Sequence, residues 1–251
     1  MRLPLALTAA TLLLTLPLAG QAGQWKDFLG GLQQAITQQG AGAGSVAALS
    51  NTDIAAGLKA ALAQGTRTAV ATLGHTDGFW GNAAARIPMP TALAKIERTV
   101  RGFGMGSVVD QFHLSLNRAA EEAVPVAADV FAQSVQQLTL DDVRGILTGP
   151  KDAATQYFRR TTSSALTARF TPIVANATAQ VGVAQHYKQL TATAGPFAAA
   201  LGAPTDLDGY VTQKALDALF VQVAAEEARI RDNPAARSTA ILKKVFGAKP
   251  Q

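Results

Sequence analysis

The sequence contains no cysteine among its 251 residues. A chain without cysteine forms no disulfide, no thiolate metal site and no lipid anchor on a cysteine, so packing alone must hold its fold together. Histidine is scarce as well: His75, His113 and His186 lie far apart in the sequence and lack the spacing of metal ligands. We therefore expect no metal ion and no other cofactor.

Neither sign of charge dominates the composition. Lys and Arg together number 22, Asp and Glu number 17, and the formal net charge is +5. The basic residues are scattered along the chain, whereas a nucleic-acid-binding protein groups them on one face. The sequence thus argues against a nucleic-acid partner.

Long apolar runs are missing except at the N-terminus. Arg2 is followed by the largely apolar residues 3–18 and by the small-residue site Gly20-Gln21-Ala22. These three zones predict a signal peptide over residues 1–22, and Pro17 breaks a run already short for a membrane span. We expect an exported protein, periplasmic or extracellular, that has no transmembrane segment once the signal is cleaved. Removal of Arg2 would leave 21 basic against 17 acidic residues, a charge of +4.

Residues 23–48 form a segment of their own. Large apolar side chains recur in it at helical spacing and predict a short amphipathic helix: Trp25, Phe28, Leu29, Leu32 and Ile36. The Gly/Ala run of residues 40–44 then predicts a flexible linker. The helix would either dock on the body of the protein or rest on a membrane surface or partner through residues Trp25 to Ile36.

The rest of the pattern predicts an all-α fold. We expect a single-domain irregular bundle of about eight helices over residues 49–247, followed by a tail at 248–251. Pro125 should kink or divide the pattern of residues 107–138, and Pro172 should interrupt a later helix, whereas Pro150 suits that helix's first turn. Helices are predicted over these stretches: 51–73, 91–103, 107–138, a short helix capped by Thr139 and Asp142 that ends at Gly149, a helix from Pro150 onward, 206–232 opened by Asp206 or Asp208, and a last short helix at 241–246.

A glycine-framed aromatic loop follows the first of these helices. Residues 74–82 contain Phe79 and Trp80, and residues 87–90 should be extended because each proline disfavours helix in the residue before it. Phe79 and Trp80 would form either a lid over a ligand or a plug over the core.

A charged residue interrupts each of two apolar helix faces. At 100° per residue, Arg159 lies with Thr155 and Thr162 on the line that continues through Leu166. Glu227 falls on the apolar face of the 206–232 helix in the same way. An unpaired buried charge costs several kcal/mol, so we predict that Arg159 pairs with Glu227, unless Arg159 extends to water.

Enzyme signatures are absent from the sequence. The pentapeptide Ala-Ala-Glu-Glu-Ala occurs at 119–123 and at 224–228, but neither copy has the histidine three residues on that a carboxylate metal site in a helical bundle uses. No serine lies in a nucleophile-elbow context. The glycine-rich residues 102–106 follow a predicted helix, whereas a nucleotide-binding loop follows a strand. We therefore predict no enzyme and no catalytic residue.

Several polar runs together resemble a known family. They are Asn117-Arg118-Ala119-Ala120-Glu121, the stretch from Asp141-Asp142 through Gly149 to Arg160, Asp206 to Val211, and Glu226-Glu227 through Pro234 to Gly247. In this combination the chain, from about Leu49 to Gly247, is similar to the domain of unknown function 4197 family of bacterial envelope proteins. The resemblance implies a single exported helical domain and carries over no activity or ligand residue.

Three functional hypotheses remain. In the first, the protein is non-enzymatic and binds a small ligand or an envelope protein at a polar site between helices, built from Arg159, Tyr157, Thr155 and Thr162, with Glu227 and Arg118 nearby. In the second, these residues are an ion-pair network that holds the bundle together, and partners bind the aromatic loop at Phe79 and Trp80. The third is an enzyme of unrecognised type.

Overall fold

A computed structural model describes residues 51–91, 94, 97, 101–182, 184, 185, 187, 188 and 206–232, all within the unit Leu49–Gln251. Every regular element in these ranges is helical, which confirms the all-α fold. The elements are α1 (Asn51–Leu73), α2 (Gly106–Ala123), a 3₁₀ turn (Val124–Val126), α3 (Ala127–Gln136), α4 (Leu140–Thr148), α5 (Ala153–Ala179) and α6 (Leu207–Asp232). The predicted signal peptide, the 23–48 segment and the last short helix lie outside the described residues, so the predicted total of about eight helices stays a prediction.

The long helical pattern of residues 107–138 divides at Pro125, as predicted. Pro125 lies in the 3₁₀ turn that joins α2 to α3. Its ring is exposed, whereas its neighbour Val124 is buried, as is Ala127. The break therefore changes the path of the backbone without opening the core.

The start of α4 follows the predicted capping residues. Thr139 Oγ1 accepts a hydrogen bond from the Asp142 amide at 3.1 Å, and Asp142 Oδ2 accepts one from the Thr139 amide at 3.0 Å. This reciprocal arrangement satisfies backbone donors that the first turn of a helix leaves without partners. The helix ends at Thr148, immediately before Gly149.

Helix α5 lies at the centre of the described domain and contacts α2, α3, α4 and α6. Its buried positions recur at every fourth residue, so each step advances about 40° around the helix. The buried stripe consequently winds round α5 and meets different neighbours along its length. Its members are Ala154, Phe158, Thr162, Leu166, Phe170, Val174 and Thr178.

Two predictions about proline in this region were wrong. Helix α5 continues through Pro172 to Ala179, and it begins at Ala153 rather than at Pro150. Pro172 and Ala168, whose carbonyl the proline leaves without its helical donor, are both exposed. Water can satisfy that carbonyl, while Phe170 and Val174 pack on the buried side.

Helices α5 and α6 run antiparallel. The last part of α6 lies at the start of α5, where Glu227 contacts Ala154. At the opposite end, Thr178 Oγ1 donates to Asp208 Oδ1 at 2.7 Å. Asp206 opens α6, as one of the two predicted residues, because its Oδ1 accepts from the Gly209 amide at 2.8 Å.

None of the helices in the described ranges combines the length and the apolar character that a membrane span requires.

Candidate functional site

The carboxylate of Glu227 is buried and fully surrounded by hydrogen-bond donors. Its Oε1 accepts from the Ala154 amide at 3.0 Å and from Arg231 Nε and Nη2 at 3.0 and 2.8 Å. Its Oε2 accepts from the Thr155 amide and the Thr155 hydroxyl, both at 2.8 Å. Five donors thus occupy the two oxygens, whose lone pairs provide about four sites.

Glu227 acts as the N-terminal cap of a helix to which it does not belong. The amides of Ala154 and Thr155 lie in the first turn of α5, where no intrahelical acceptor is available. Asp152, the residue at the N-cap, makes no capping hydrogen bond and instead accepts from the Gln156 side chain at 2.9 and 3.0 Å. A negative charge at this end of α5 also interacts favourably with the helix dipole.

The predicted pair of Arg159 with Glu227 was wrong. The Arg159 side chain is 50% exposed, with Nη1 3.9 Å from Asp217 Oδ1 and the guanidinium carbon 4.5 Å from the centre of the Phe220 ring. The cation that Glu227 binds is Arg231, four residues further along α6. Arg159 misses the core because the buried stripe of α5 steps back from Thr162 to Phe158.

The other hydroxyl groups of the predicted pocket have internal partners and do not converge. Tyr157 is buried, and its hydroxyl donates to the Ser134 carbonyl at 3.1 Å. Thr162 is buried too, and its Oγ1 donates to the Phe158 carbonyl one turn earlier at 2.6 Å. Of the other residues proposed for this pocket, the structure brings only Thr155 to Glu227.

A cavity of about 20 Å³ lies beside Glu227 and Arg231. This volume is enough for about one water molecule and far below the hundreds of Å³ of a typical ligand pocket. Its remaining walls are apolar: Leu58, Ala61, Leu62, Ile146, Ala154 and Ile230.

A second buried glutamate holds the aromatic loop. Glu121 Oε1 accepts from the amides of Phe79 and Trp80, both at 3.0 Å. Its Oε2 accepts from Arg118 Nη1 at 2.5 Å, and Arg118 Nη2 donates to Asp77 Oδ1 at 2.7 Å. Arg118, which was predicted beside Arg159, thus belongs to a different cluster, in which it shares Glu121 with the backbone amides of Phe79 and Trp80.

The local conformation of the loop aims its amides at Glu121. Asp77 adopts a positive φ of 69°, which aspartate tolerates better than most residues. At the next residue a side chain has no room, since a Cβ on Gly78 would lie 2.3 Å from the Leu73 carbonyl oxygen. This turn brings the amides of Phe79 and Trp80 together on one side of the loop.

Side chains of α2 also form hydrogen bonds with the segment that follows the loop, residues 86–90. Asn117 Oδ1 accepts from the Ile87 amide at 2.8 Å, and Asn117 Nδ2 donates to the carbonyls of Ile87 and His113 at 3.3 and 2.9 Å. His113 Nε2 donates to the same Ile87 carbonyl at 2.8 Å. Residues 86–90 are neither helix nor strand, so these side chains supply the partners that regular structure would have given.

Phe79 is completely buried in the core, and Trp80 lies partly exposed beside it. The Trp80 ring meets His113 edge to face, with 5.0 Å between the ring centres, and the Arg86 guanidinium carbon lies 4.8 Å above the indole. The position of Phe79 corresponds to the plug rather than the lid.

The two Ala-Ala-Glu-Glu-Ala copies differ in burial, because the first buries only Glu121 whereas the second buries both Glu226 and Glu227. Glu121 and Glu227 nevertheless each accept two consecutive backbone amides and one arginine. Among the residues that the structure describes, no group of three His, Asp or Glu side chains could hold a metal ion. The sequence analysis did not predict the hydrogen bonds that Asn117 and Arg231 make. The four-residue spacing of Glu227 and Arg231 is nevertheless a signal for one of these contacts.

The fold and these clusters define a helical domain whose buried glutamates cap loops and helices of the same chain. The family model described as protein of unknown function, DUF4197, matches residues 48–247, and the chain belongs to this family. The resemblance drawn from the polar runs is thereby confirmed. Searches of curated proteins and of solved structures gave no match.

Proposed function

We propose that this is a non-enzymatic, exported protein that binds another protein of the cell envelope through its surface. In this proposal the Arg/Glu clusters hold the bundle together and are not a ligand pocket. For the role of the charged residues, the proposal agrees with the second of the three hypotheses drawn from the sequence. It does not assign the surface that binds the partner.

The observation that carries the proposal is the saturation of Glu227. All five donors around its carboxylate belong to the chain itself. A ligand at this position would have to displace a helix cap and an ion pair, and the adjacent cavity of about 20 Å³ admits about one water. Glu121 is occupied in the same way by two amides and Arg118.

Export is supported by the three zones of a signal peptide in residues 1–22. No catalytic motif in the sequence supports an activity.

Native mass spectrometry of the full-length gene product, purified from the envelope fraction of its own host, tests the proposal. We expect the mass of a chain that lacks residues 1–22, free of small molecules, and a complex with a second protein under gentle extraction. A stoichiometric small molecule that is retained by the native protein and lost from Arg159→Met would overturn the proposal in favour of a ligand pocket.

A further inference from the structure

The outward face of α6 carries a stripe of mostly small side chains. Helix α6 packs on α1, α2 and α5 with one side, where Leu219, Val223 and Ile230 are buried. At 100° per residue, the stripe lies on the opposite side of the helix. Its members are separated by four and three residues in alternation: Lys214, Ala218, Val221, Ala225, Ala228 and Asp232. We call these six residues the outer stripe.

No side chain of the outer stripe is buried. Val221 is 59% exposed, although valine is among the residues most often found inside proteins. The other five members are exposed or half-buried. Alternating steps of four and three residues are the spacing with which one helix packs along another in a coiled coil. The outer stripe is therefore a second helix-packing face, which no helix in the described part of the chain covers.

The outer stripe matches itself when a second copy is turned end for end. We place an antiparallel α6 beside the first, with a twofold axis at the level of Val223. Every member of the stripe then faces the member that lies equally far on the other side of Val223. The facing positions are Lys214 with Asp232, Ala218 with Ala228, and Val221 with Ala225.

The two ends of the outer stripe carry opposite charges. Lys214 and Asp232 are about 27 Å apart along one helix, at 1.5 Å per residue, so they do not pair within one copy. Neither of them forms an ion pair with any residue that the structure describes. An antiparallel copy would bring an ammonium group and a carboxylate together at both ends.

From this complementarity we infer that α6 pairs with α6 of a second copy of this chain in an antiparallel, twofold-symmetric dimer. A twofold interface uses the same patch on both subunits, so the patch must match itself after the rotation. A partner of different sequence would require no such symmetry in the stripe. The alanines allow the two helices to approach to about 8 Å. The inference goes beyond the proposed function and does not depend on it.

The size of the outer stripe indicates a weak, reversible dimer. A face about 27 Å long on a helix about 10 Å wide covers on the order of 300 Å² on each copy. A stable dimer buries about 800 Å² on each partner, and smaller interfaces belong to transient complexes. We therefore expect monomer and dimer to exchange at micromolar to millimolar concentration.

The composition of the outer stripe does not suit a membrane surface. Helices that lie in the interface of a bilayer carry Trp, Phe or Leu on the apolar face and Lys or Arg on the polar face. The stripe has only alanine and one valine between its charged ends.

Cysteine substitution tests the direction and register of the helix pair in the protein purified from its own host. The chain has no cysteine, so Ala218→Cys and Ala228→Cys each introduce a single thiol. These positions lie about 15 Å apart on one helix, and a disulfide requires Cα atoms within about 7 Å. We expect a disulfide-linked dimer when the two variants are mixed under mild oxidation, and little from either variant alone. Leu140→Cys, at an exposed position of α4, is the control and should not cross-link to Ala218→Cys.

Charge exchange tests the energetics of the same pair. Sedimentation velocity measures the dissociation constant of the dimer. Lys214→Glu brings like charges together at both ends and should raise this constant by about fivefold or more at low salt, and less at high salt. Adding Asp232→Lys restores opposite charges and should return the constant to within about twofold of the native value. A rescue across about 27 Å within one copy has no electrostatic basis.

The centre of the outer stripe is tested with a bulky charged residue. Val221→Arg should raise the dissociation constant by about tenfold or more, because it places an unpaired charge against Ala225 of the other copy. Leu140→Arg, at a position 55% exposed on α4, should leave it unchanged. Urea unfolding of dilute protein should be nearly the same for both variants, since both positions are exposed.

Several outcomes overturn the inference. They are a monomer at every concentration, cross-linking of each cysteine variant to itself as in a parallel pair, a dimer that Val221→Arg does not weaken, and no rescue by the double charge exchange. A different envelope protein bound at the outer stripe would also overturn it, and would leave the proposed function standing. A small molecule that is bound by the native protein and lost from Arg159→Met would refute the proposed function and leave the dimer standing.

Discussion

At the scale of single residues, the domain tolerates buried charge by surrounding it with donors. Removing a carboxylate from water costs several kcal/mol unless it is paired and hydrogen-bonded. Glu227 meets both conditions, since Arg231 supplies the opposite charge and the start of α5 supplies two amides. Arg231 also donates to the Ile146 carbonyl at 2.9 Å and so joins α6 to α4.

Substitution of Arg231 tests this account. Arg231→Met leaves Glu227 buried without its cation, and we expect the free energy of unfolding to fall by about 2–4 kcal/mol. Arg144→Met removes a pair whose side chains are 69% and 91% exposed, and should change stability by less than about 0.5 kcal/mol. Urea unfolding at pH 7 gives both values. Equal losses in the two variants would contradict the structural role of Glu227.

Arg159 is expected to behave like a surface residue. Its side chain is half exposed, its distance to Asp217 is 3.9 Å, and its main contact is the Phe220 ring. We expect Arg159→Met to cost less than about 1 kcal/mol, because an exposed ion pair contributes little and methionine keeps part of the ring contact. The same urea titration measures it, and a loss as large as that of Arg231→Met would show that Arg159 supports the core.

The capping residue Asp142 should give a pH-dependent contribution to stability. Hydrogen bonds from the Thr139 hydroxyl and amide lower the pKa of Asp142 in the folded protein. A lowered folded pKa stabilises the fold above the ordinary aspartate pKa, and the contribution disappears as the pH falls through the folded value. We expect Asp142→Ala to cost about 1 kcal/mol at pH 7, and the difference from the native protein to shrink below about pH 4. Urea unfolding from pH 7 to 3 checks this, and a constant difference would contradict it.

At the scale of elements, α5 shows where sequence arithmetic succeeds and fails. A fixed 100° per residue placed Leu166, Thr162 and Thr155 inside, and all three are buried. The same arithmetic placed Arg159 inside, because it assumes that one line of the helix faces one neighbour. Helix α5 instead touches several helices in turn, and the stripe they cover advances by four residues at each step.

The uninterrupted path of α5 leads to a prediction about Pro172. Because the helix already continues through this exposed position, Pro172→Ala restores a hydrogen bond to the Ala168 carbonyl and improves helix propensity. Greater freedom of the unfolded chain offsets part of the gain, and we expect a net stabilisation of about 1–2 kcal/mol.

Pro125→Ala is the matched control for Pro172→Ala. Pro125 ends α2 in a 3₁₀ turn, where its ring would lie 3.1 Å from a Cβ at Gly74. There we expect no gain in stability. Thermal and urea unfolding compare the variants with the native chain, and destabilisation by Pro172→Ala would mean that the proline shapes α5.

The hydrogen bonds that hold the non-helical residues 74–82 and 87–90 could not be predicted from the sequence pattern. Turn residues and prolines correctly indicated that residues 74–82 and 87–90 are not helical. Their partners, Glu121 and Asn117, lie about 30–42 residues further along the chain, and helical periodicity does not tell which helices touch. The structure gives Glu121 and Asn117 the physical role of satisfying a loop's backbone groups.

At the scale of the whole molecule, two tyrosines make contacts that involve α2, α6 and the non-helical residues 87–90. Tyr187 is buried and packs against Phe112, with ring centres 5.5 Å apart. Tyr210 on α6 donates its hydroxyl to the Pro88 carbonyl at 2.9 Å. Burial raises the pKa of Tyr187 to about 12 and raises that of Tyr210 as well.

These raised pKa values predict a loss of global stability at high pH. A phenol whose folded pKa exceeds its unfolded value of about 10 stabilises the fold fully below that value, and the contribution is lost as the pH rises through the folded pKa. We therefore expect the free energy of unfolding to fall from about pH 10 toward 12, and to fall less steeply in Tyr187→Phe, which keeps the contact with Phe112 but has no proton to lose. Urea unfolding across this range, with phenolate absorbance at 295 nm, measures both effects. Two results would contradict this prediction: identical pH profiles for the two proteins, or ionisation of all tyrosines near pH 10 while the chain stays folded. Either result would mean that water reaches Tyr187 and that it does not pack tightly against α2.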